Sequence, residues 1–231
     1  MAKLGKSLSK AQKHSTEDKM LEYYYKGTQY FQENRNRVYT VLTILVVIIA
    51  VIFIYFRNQS QKNETAALEL SKVKQYYAMD MFPAAINGDS LGISKGLLYI
   101  VDNYGSTESG QTAKIMLANC YYNLREFDKA DVYFRDYSGN NDLFKAASLV
   151  GIASVYEIKG DWSNAAKYYE NASKVSKSVP VNDEYMYYAI RCYFNAKDAD
   201  NLNKSIKYFK TEYPKSKYLS MLSRYESGEQ S

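Results

Sequence analysis

The most distinct pattern along the chain is a run of uncharged, apolar residues near its beginning. Residues 38–56 read VYTVLTILVVIIAVIFIYF, contain no charged residue, Pro or Gly, and are flanked by Arg37 and Arg57. As a helix with ~1.5 Å rise per residue, this run is roughly 28 Å long, which matches a hydrocarbon core of about 30 Å. We therefore predict a transmembrane helix at 38–56, in preference to a buried core helix or a cleaved signal peptide.

After this run, one block of apolar and polar positions occurs twice. LANCYYNLREFDKADVYF at 117–134 aligns with IASVYEIKGDWSNAAKYY at 152–169, an offset of 35 residues. The matching positions are Ala118 with Ala153, Tyr121 with Tyr156, Phe127 with Trp162, Ala130 with Ala165, and Phe134 with Tyr169. The block resembles the tetratricopeptide repeat, in which small residues let two helices approach closely and aromatic residues fill the space between helical hairpins.

More degenerate copies are expected before and after these two. They are predicted at 64–104, where Asp89 or Ser90 would cap the second helix, and at 182–213, with a closing helix at 216–227. The predicted fold is all-α: a single N-terminal transmembrane helix, followed by a tetratricopeptide-type α-solenoid of about 3–4 helical hairpins plus a closing helix. The predicted domains are a basic, partly disordered tail at 1–37, the transmembrane helix at 38–56, a linker at 57–63 and the repeat domain at 64–231.

Charge is distributed unevenly on the two sides of the apolar run. Residues 1–37 contain eight Lys or Arg and four Asp or Glu, so the net charge of +5 divides into +4 in the tail and +1 after the run. The positive-inside rule then predicts a cytoplasmic N-terminus and a repeat domain on the opposite side of the membrane. The sequence pI of 8.9 therefore reflects the tail, and we predict no nucleic-acid binding by the nearly neutral repeat domain.

Residue types that catalysis commonly requires are scarce after the apolar run. The single histidine, His14, lies in the tail, and the chain contains none of the local motifs of hydrolases, zinc proteases or phosphate-binding loops. We therefore predict no enzymatic activity, no cofactor, no metal and no small-molecule substrate. Cys120 and Cys192 fall two hairpins apart, too far for a disulfide, and are predicted to be buried free thiols.

A partner-binding groove is predicted along the first helices of the two clearest repeats, because repeat solenoids bind along this face. The candidate residues are Thr112, Ile115, Met116, Asn119, Tyr122, Ala147, Val150, Ser154 and Glu157. The set is mixed, partly apolar and weakly charged, which suits extended or unfolded segments better than a strongly charged tail. The alternative interpretation is that several of these side chains only pack against their neighbours.

Together, the single span, the repeats and the stretch AAINGDSLGISKGLLYIVDNYGSTESGQTAKIMLANCYYNLREFDKADVYF resemble the ancillary translocon subunits of bacterial cell envelopes. The resemblance implies a single-pass protein of the inner membrane with a periplasmic repeat domain. It also implies a module that assists secretion or periplasmic folding near the translocon. The implied partners are translocon subunits, envelope chaperones or unfolded client segments, with the membrane contacted through residues 38–56.

Two other functions fit the same pattern. A scaffold for envelope assembly or cell division would hold a fixed, folded partner in the groove. An organelle import-receptor-like protein would have the same fold facing the cytosol, which conflicts with the charge of the tail. An enzyme is the class that the residue types disfavour most.

Overall fold

In a computed structural model, the backbone of residues 2–226 and the side chains of residues 19–226 are described. These residues form helices and connecting turns, with no strand among them, as the all-α prediction requires. The chain divides into two compact units, Met1–Asn58 and Gln59–Ser231. The elements are α1 (Ala2–Ala78), α2 (Phe82–Asn87), α3 (Gly96–Tyr104), α4 (Glu108–Asn123), α5 (Phe127–Arg135), α6 (Asp142–Ile158), α7 (Trp162–Ser173), α8 (Asn182–Asn195), α9 (Ala199–Glu212), a 3₁₀ turn (Leu219–Leu222) and α10 (Ser223–Glu226).

The first unit consists of the N-terminal part of α1, which is long and apolar enough to cross a membrane. Side chains 39–56 are all exposed within the unit. The hydroxyls of Thr40 and Thr43 donate to carbonyls one turn earlier, at 2.8 Å each, so these polar groups are satisfied inside the helix. A kink at Asn34 (φ −118°, ψ 19°) precedes the apolar run. Residues 2–37 of the tail, which was expected to be partly disordered, lack Pro and belong to α1.

Residues 57–63, which were predicted to be a linker, continue α1. These residues are helical, because none of them is Gly or Pro and the helix continues through them. Gln59 Nε2 donates to the carbonyl of Ser106 at 2.9 Å, and Asn63 Oδ1 accepts from the backbone N–H of Ser109 at 2.8 Å. From Gln59 onward, the stretch is therefore part of the repeat unit.

The second unit contains the predicted helical hairpins. α4 packs on α5, α6 on α7 and α8 on α9, and each hairpin also packs on the next. In the first hairpin, Leu70 and Val73 at the end of α1 share a buried cluster with Leu97 and Ile100 of α3. The short α2 between these helices was not predicted. It begins with Pro83 in its first turn, where a missing N–H costs nothing.

The small residues of the repeat are buried, as the sequence pattern predicts. Ala118, Ala130, Ala153 and Ala165 are fully buried, which lets the two helices of each hairpin approach closely. At Gly151, an added Cβ would lie 2.4 Å from the ring of Phe134, so the glycine provides the space that this ring occupies. Small residues and aromatic rings therefore fit together both within hairpins and between them.

The second helix of the first hairpin, α3, lacks the side-chain cap that the sequence predicted. α3 begins after Lys95 and has no side-chain cap, so neither Asp89 nor Ser90 serves that role. Asp89 instead accepts hydrogen bonds from the backbone N–H groups of Ile93 and Ser94, at 2.9 Å each. Its carboxylate therefore organises the loop before α3 rather than the helix itself.

The closing segment is shorter than predicted. Residues 216–227 were expected to form one helix, but the described part contains a 3₁₀ turn and the single-turn α10, and residue 227 lies outside it. Leu222 and Tyr225 are buried against the last hairpin, and the ring of Tyr218 stacks on Tyr187 with centroids 4.8 Å apart. Aromatic packing, rather than helix length, shields the end of the repeat unit.

Candidate partner-binding groove

The first helices of the second and third hairpins, α4 and α6, pack against each other and present one half-exposed face. Residues spaced by three or four positions share this face, which we call the A-helix face. Its members are Thr112, Met116, Asn119 and Tyr122 on α4, and Ala147, Val150, Ser154 and Glu157 on α6. Eight of the nine residues predicted from the sequence therefore remain accessible, at least in part.

Ile115 is the exception, and its assignment to the groove is wrong. Its side chain is 4% exposed and belongs to the first core cluster. α4 is contacted by α2, α3, α5 and α6, so its accessible face is narrower than that of a helix at the surface of a simple solenoid. A residue one position before Met116 is therefore turned into the core.

The α4 part of the A-helix face is mainly apolar. Met116 and Tyr122 pack against the first core cluster while staying half-exposed. The ring of Tyr122 meets Phe127 edge to face, with centroids 5.4 Å apart. Thr112 Oγ1 donates to the carbonyl of Glu108 at 3.1 Å. This part offers apolar surface to a partner, with Asn119 as a polar side chain among it.

On α6, Ala147 and Val150 are apolar, and the polar members of the face, Ser154 and Glu157, already have partners. Ser154 Oγ lies 3.0 Å from Tyr169 Oη, and Tyr169 Oη donates to Glu157 Oε2 at 3.0 Å. Glu157 Oε1 pairs with Arg191 Nη2 at 2.6 Å. This chain of contacts links α6, α7 and α8. Ser154 and Glu157 therefore hold neighbouring helices together in addition to facing the groove.

Burial determines the protonation of this network. It raises the pKa of Tyr169, so that hydroxyl stays neutral and available as a donor. Burial opposes the charged form of Arg191, but the nearby Glu157 carboxylate outweighs it and the pKa of Arg191 is raised. Burial also raises the pKa of the Cys192 thiol to about 12, so the thiol beside this network is protonated at neutral pH.

Two residues of α8 extend the groove and were missed from the sequence. Arg191 is half-buried beside Glu157, and its guanidinium lies 5.0 Å from the ring centre of Tyr188. A second motif would have found Arg191: DWSN at 161–164 and DADN at 198–201 recur at an offset of 37 residues, at which Tyr188 aligns with the buried Gly151. With that offset, Arg191 aligns with Ser154. An offset of 35 residues does not bring these two positions into register.

The two Asp-x-x-Asn motifs also fold alike. In each, the Asp carboxylate accepts from the Asn backbone N–H at 3.1 Å and from the Asn side chain at 2.7 Å. Asp161 caps α7 and Asp198 caps α9. Cys120 and Cys192 are buried free thiols, as predicted.

Comparison with known proteins gives one match. A family model described as a tetratricopeptide repeat-like domain matches residues 28–183, which is more than half of the chain. The matched range includes the apolar run of α1 and three hairpins, and it ends at the beginning of α8. No curated protein and no solved structure matches the chain.

Proposed function

Because the chain belongs to the tetratricopeptide repeat-like domain family, we propose that it is a membrane-anchored protein–protein interaction module of the bacterial cell envelope. The observation that carries the proposal is the A-helix face, where half-exposed side chains of α4 and α6 lie side by side. Binding rather than catalysis is the function that this surface supports, and no cofactor or nucleotide takes part in it.

The proposed location is the inner membrane, with a cytoplasmic N-terminus and a periplasmic repeat domain. The apolar run at 38–56 supports a single span, because its length suits a bilayer and its side chains are exposed. The basic tail supports the orientation. Protease added to spheroplasts should then digest the repeat domain and leave the tail intact. Protection of the repeat domain would point to a cytosolic orientation.

The proposed ligands are extended polypeptide segments near the secretion channel, presented by translocon subunits, envelope chaperones or emerging clients. Met116 and Tyr122 provide apolar contacts on one side of the groove, and the Glu157–Arg191 pair provides a polar boundary on the other. A surface of this mixed kind binds through several modest contacts, so we expect weak and reversible association.

Site-specific photo-crosslinking in cells tests the proposal. A photoreactive residue at Met116 or Asn119 should give adducts with translocon subunits, envelope chaperones or secreted clients. The matched control is Val132 on α5, which is 61% exposed and lies outside the A-helix face. Equal adducts at Val132, or adducts from Met116 that contain none of these proteins, would contradict the proposal. A single stoichiometric partner without translocon components would favour an assembly scaffold instead.

A further inference from the structure

An exposed apolar segment lies in the first hairpin, away from the A-helix face. Residues 79–93 include α2 and the turns on both sides of it. Met79, Met81, Leu91 and Ile93 are 70%, 48%, 80% and 51% exposed. They are four of the ten large apolar side chains that are exposed in residues 59–226. Such a concentration in 15 residues marks an interaction surface better than scattered single residues do.

The segment is held in a defined conformation. The backbone N–H of Asp89 donates to the carbonyl of Ser94 at 3.1 Å, closing the loop that carries Leu91. Tyr76 connects both ends: its carbonyl accepts from the N–H of Met81 at 2.9 Å, and its hydroxyl donates to Asp89 Oδ2 at 2.6 Å. An ordered loop loses little conformational entropy on binding, so Leu91 is preorganised as an anchor.

A cavity of about 720 Å³ lies between the last two hairpins, at the C-terminal ends of α7 and α9. This volume falls in the range of about 300–1,000 Å³ that is typical of binding clefts. Its lining includes the apolar groups of Val179, Tyr208 and Tyr213, the lysines Lys177 and Lys215, and the carboxylates of Asp183 and Glu212. Neither lysine forms an ion pair with the residues that the structure describes. Asp183 Oδ2 already accepts from Ser216 Oγ at 2.6 Å, so the cavity combines apolar surface with two lysines that form no such ion pair.

The segment and the cavity are complementary in charge. Residues 79–93 contain two Asp and no Lys or Arg. More broadly, residues 59–166 contain ten basic and thirteen acidic residues, whereas residues 167–231 contain eleven and eight. The loop is thus apolar and acidic, and the cavity is an apolar site in the more basic part of the chain, so the two surfaces are complementary in charge and in apolar character.

We propose that the loop around Leu91 of one copy inserts into the cavity lined by Tyr208 and Tyr213 of a second copy. Asp80 of the loop lies near Lys177 or Lys215 in such a contact. The loop and the cavity are different surfaces, so the interface is head-to-tail. In a pair of copies, the copy that inserts its loop retains an empty cavity, and the copy that accepts it retains an unused loop. The inference does not depend on what the A-helix face binds.

The test uses the full chain in liposomes, with donor and acceptor fluorophores attached to the N-terminus of separate preparations. Energy transfer between wild-type copies should rise with protein density and fall at high salt. Leu91→Glu removes the anchor but leaves the cavity intact. Lys177→Glu combined with Lys215→Glu alters the cavity rim but leaves the loop intact. Each variant alone should associate at least about tenfold more weakly than wild type.

Mixing the two variants gives the decisive result. The cavity of the Leu91→Glu protein can accept the loop of the lysine variant, so a single contact is restored and energy transfer reappears. Thermal unfolding followed by circular dichroism verifies that both variants are folded. No transfer between wild-type copies, undiminished transfer within either variant, or no recovery on mixing would each overturn the proposal. Leu91→Ala, which adds no charge, provides a second variant and should weaken association in the same direction.

Discussion

The two clearest repeats, 117–134 and 152–169, place the same residue types at the same positions but join their neighbours differently. In both, a tyrosine of the first helix stacks on a tyrosine of the second. The ring centroids of Tyr121 and Tyr133 lie 5.6 Å apart, and those of Tyr156 and Tyr168 lie 5.5 Å apart. The interior of each hairpin is therefore nearly the same. The difference lies at the last aromatic position, where each hairpin meets the next.

At that position, the side chain of Phe134 makes an apolar contact, which we call the apolar joint. The hydroxyl of Tyr169 makes polar contacts, which we call the polar joint. The ring of Phe134 fills the space left by Gly151 in the following helix. The hydroxyl of Tyr169 reaches Ser154 and Glu157, and Glu157 reaches Arg191 in the next hairpin. The Tyr169 hydroxyl thus adds hydrogen bonds at a position where the side chain of Phe134 contributes packing alone.

Removing the apolar joint should have the largest effect. We expect Phe134→Ala to lower the free energy of unfolding by about 3–5 kcal/mol, because a fully packed ring is replaced by a cavity. Urea unfolding of the full chain in detergent, followed by circular dichroism, measures this loss. Val132→Ala on the same helix is the control, since Val132 is 61% exposed and should change stability by less than about 0.5 kcal/mol. Equal losses in Phe134→Ala and Val132→Ala would contradict a specific contribution of the buried Phe134 ring.

Filling the space at Gly151 should cost less. In Gly151→Ala, the new Cβ would lie 2.4 Å from the Phe134 ring, and we expect a loss of about 1–3 kcal/mol from overpacking. The double variant Gly151→Ala with Phe134→Leu should lose less than the sum of its single changes, because a smaller side chain makes room. Additive losses in this cycle would contradict a direct contact between the two positions.

Exchanging the two aromatic residues tests the polar joint. We expect Tyr169→Phe to cost about 0.5–1.5 kcal/mol, since Glu157 keeps its contact with Arg191. Phe134→Tyr should cost more, about 1–3 kcal/mol, because the added hydroxyl enters an apolar site. Urea unfolding of the two variants measures both losses in the free energy of unfolding. A larger loss for Tyr169→Phe would mean that the network contributes more than a single hydrogen bond.

The smallest effect concerns three equivalent positions on the first helices. Cys120, Val155 and Cys192 align at offsets of 35 and 37 residues, and all three are buried. A cysteine here acts as a small apolar residue, so replacing both cysteines by Val should change stability at pH 7 by less than about 1 kcal/mol. A loss of several kcal/mol would show that the thiols have another role.

The same double variant should change the response to alkaline pH. Burial raises the pKa of both thiols to about 12, whereas unfolded thiols titrate near pH 8.5. Above about pH 8.5, the unfolded chain releases protons that the folded chain retains, so the free energy of unfolding falls as pH rises toward 12. The decline should be shallower without the thiols. Tyr188 and Tyr225, whose pKa values are also raised to about 12, maintain part of it.

Much of this architecture could be predicted from local pattern. An uncharged run sets a helix of membrane length at 38–56, whatever surrounds it. The offset of 35 residues identified the paired small and aromatic positions, because each hairpin repeats the same packing problem. The free cysteines followed from their spacing along the chain. These features depend on residues that are close in the sequence or are repeated in it.

Contacts between distant residues required the tertiary structure. Ile115 is buried because α4 has four neighbouring helices, which its own periodicity does not reveal. Glu157 accepts a hydrogen bond from Arg191, which lies 34 positions later in the sequence. Asp89 was predicted to cap a helix, but it accepts a hydrogen bond from Tyr76 and organises a loop instead. The free energy of each of these contacts depends on which groups share a desolvated space. The local pattern determined the helices and their pairing, whereas the packing of distant helices decided which side chains remain available to a partner.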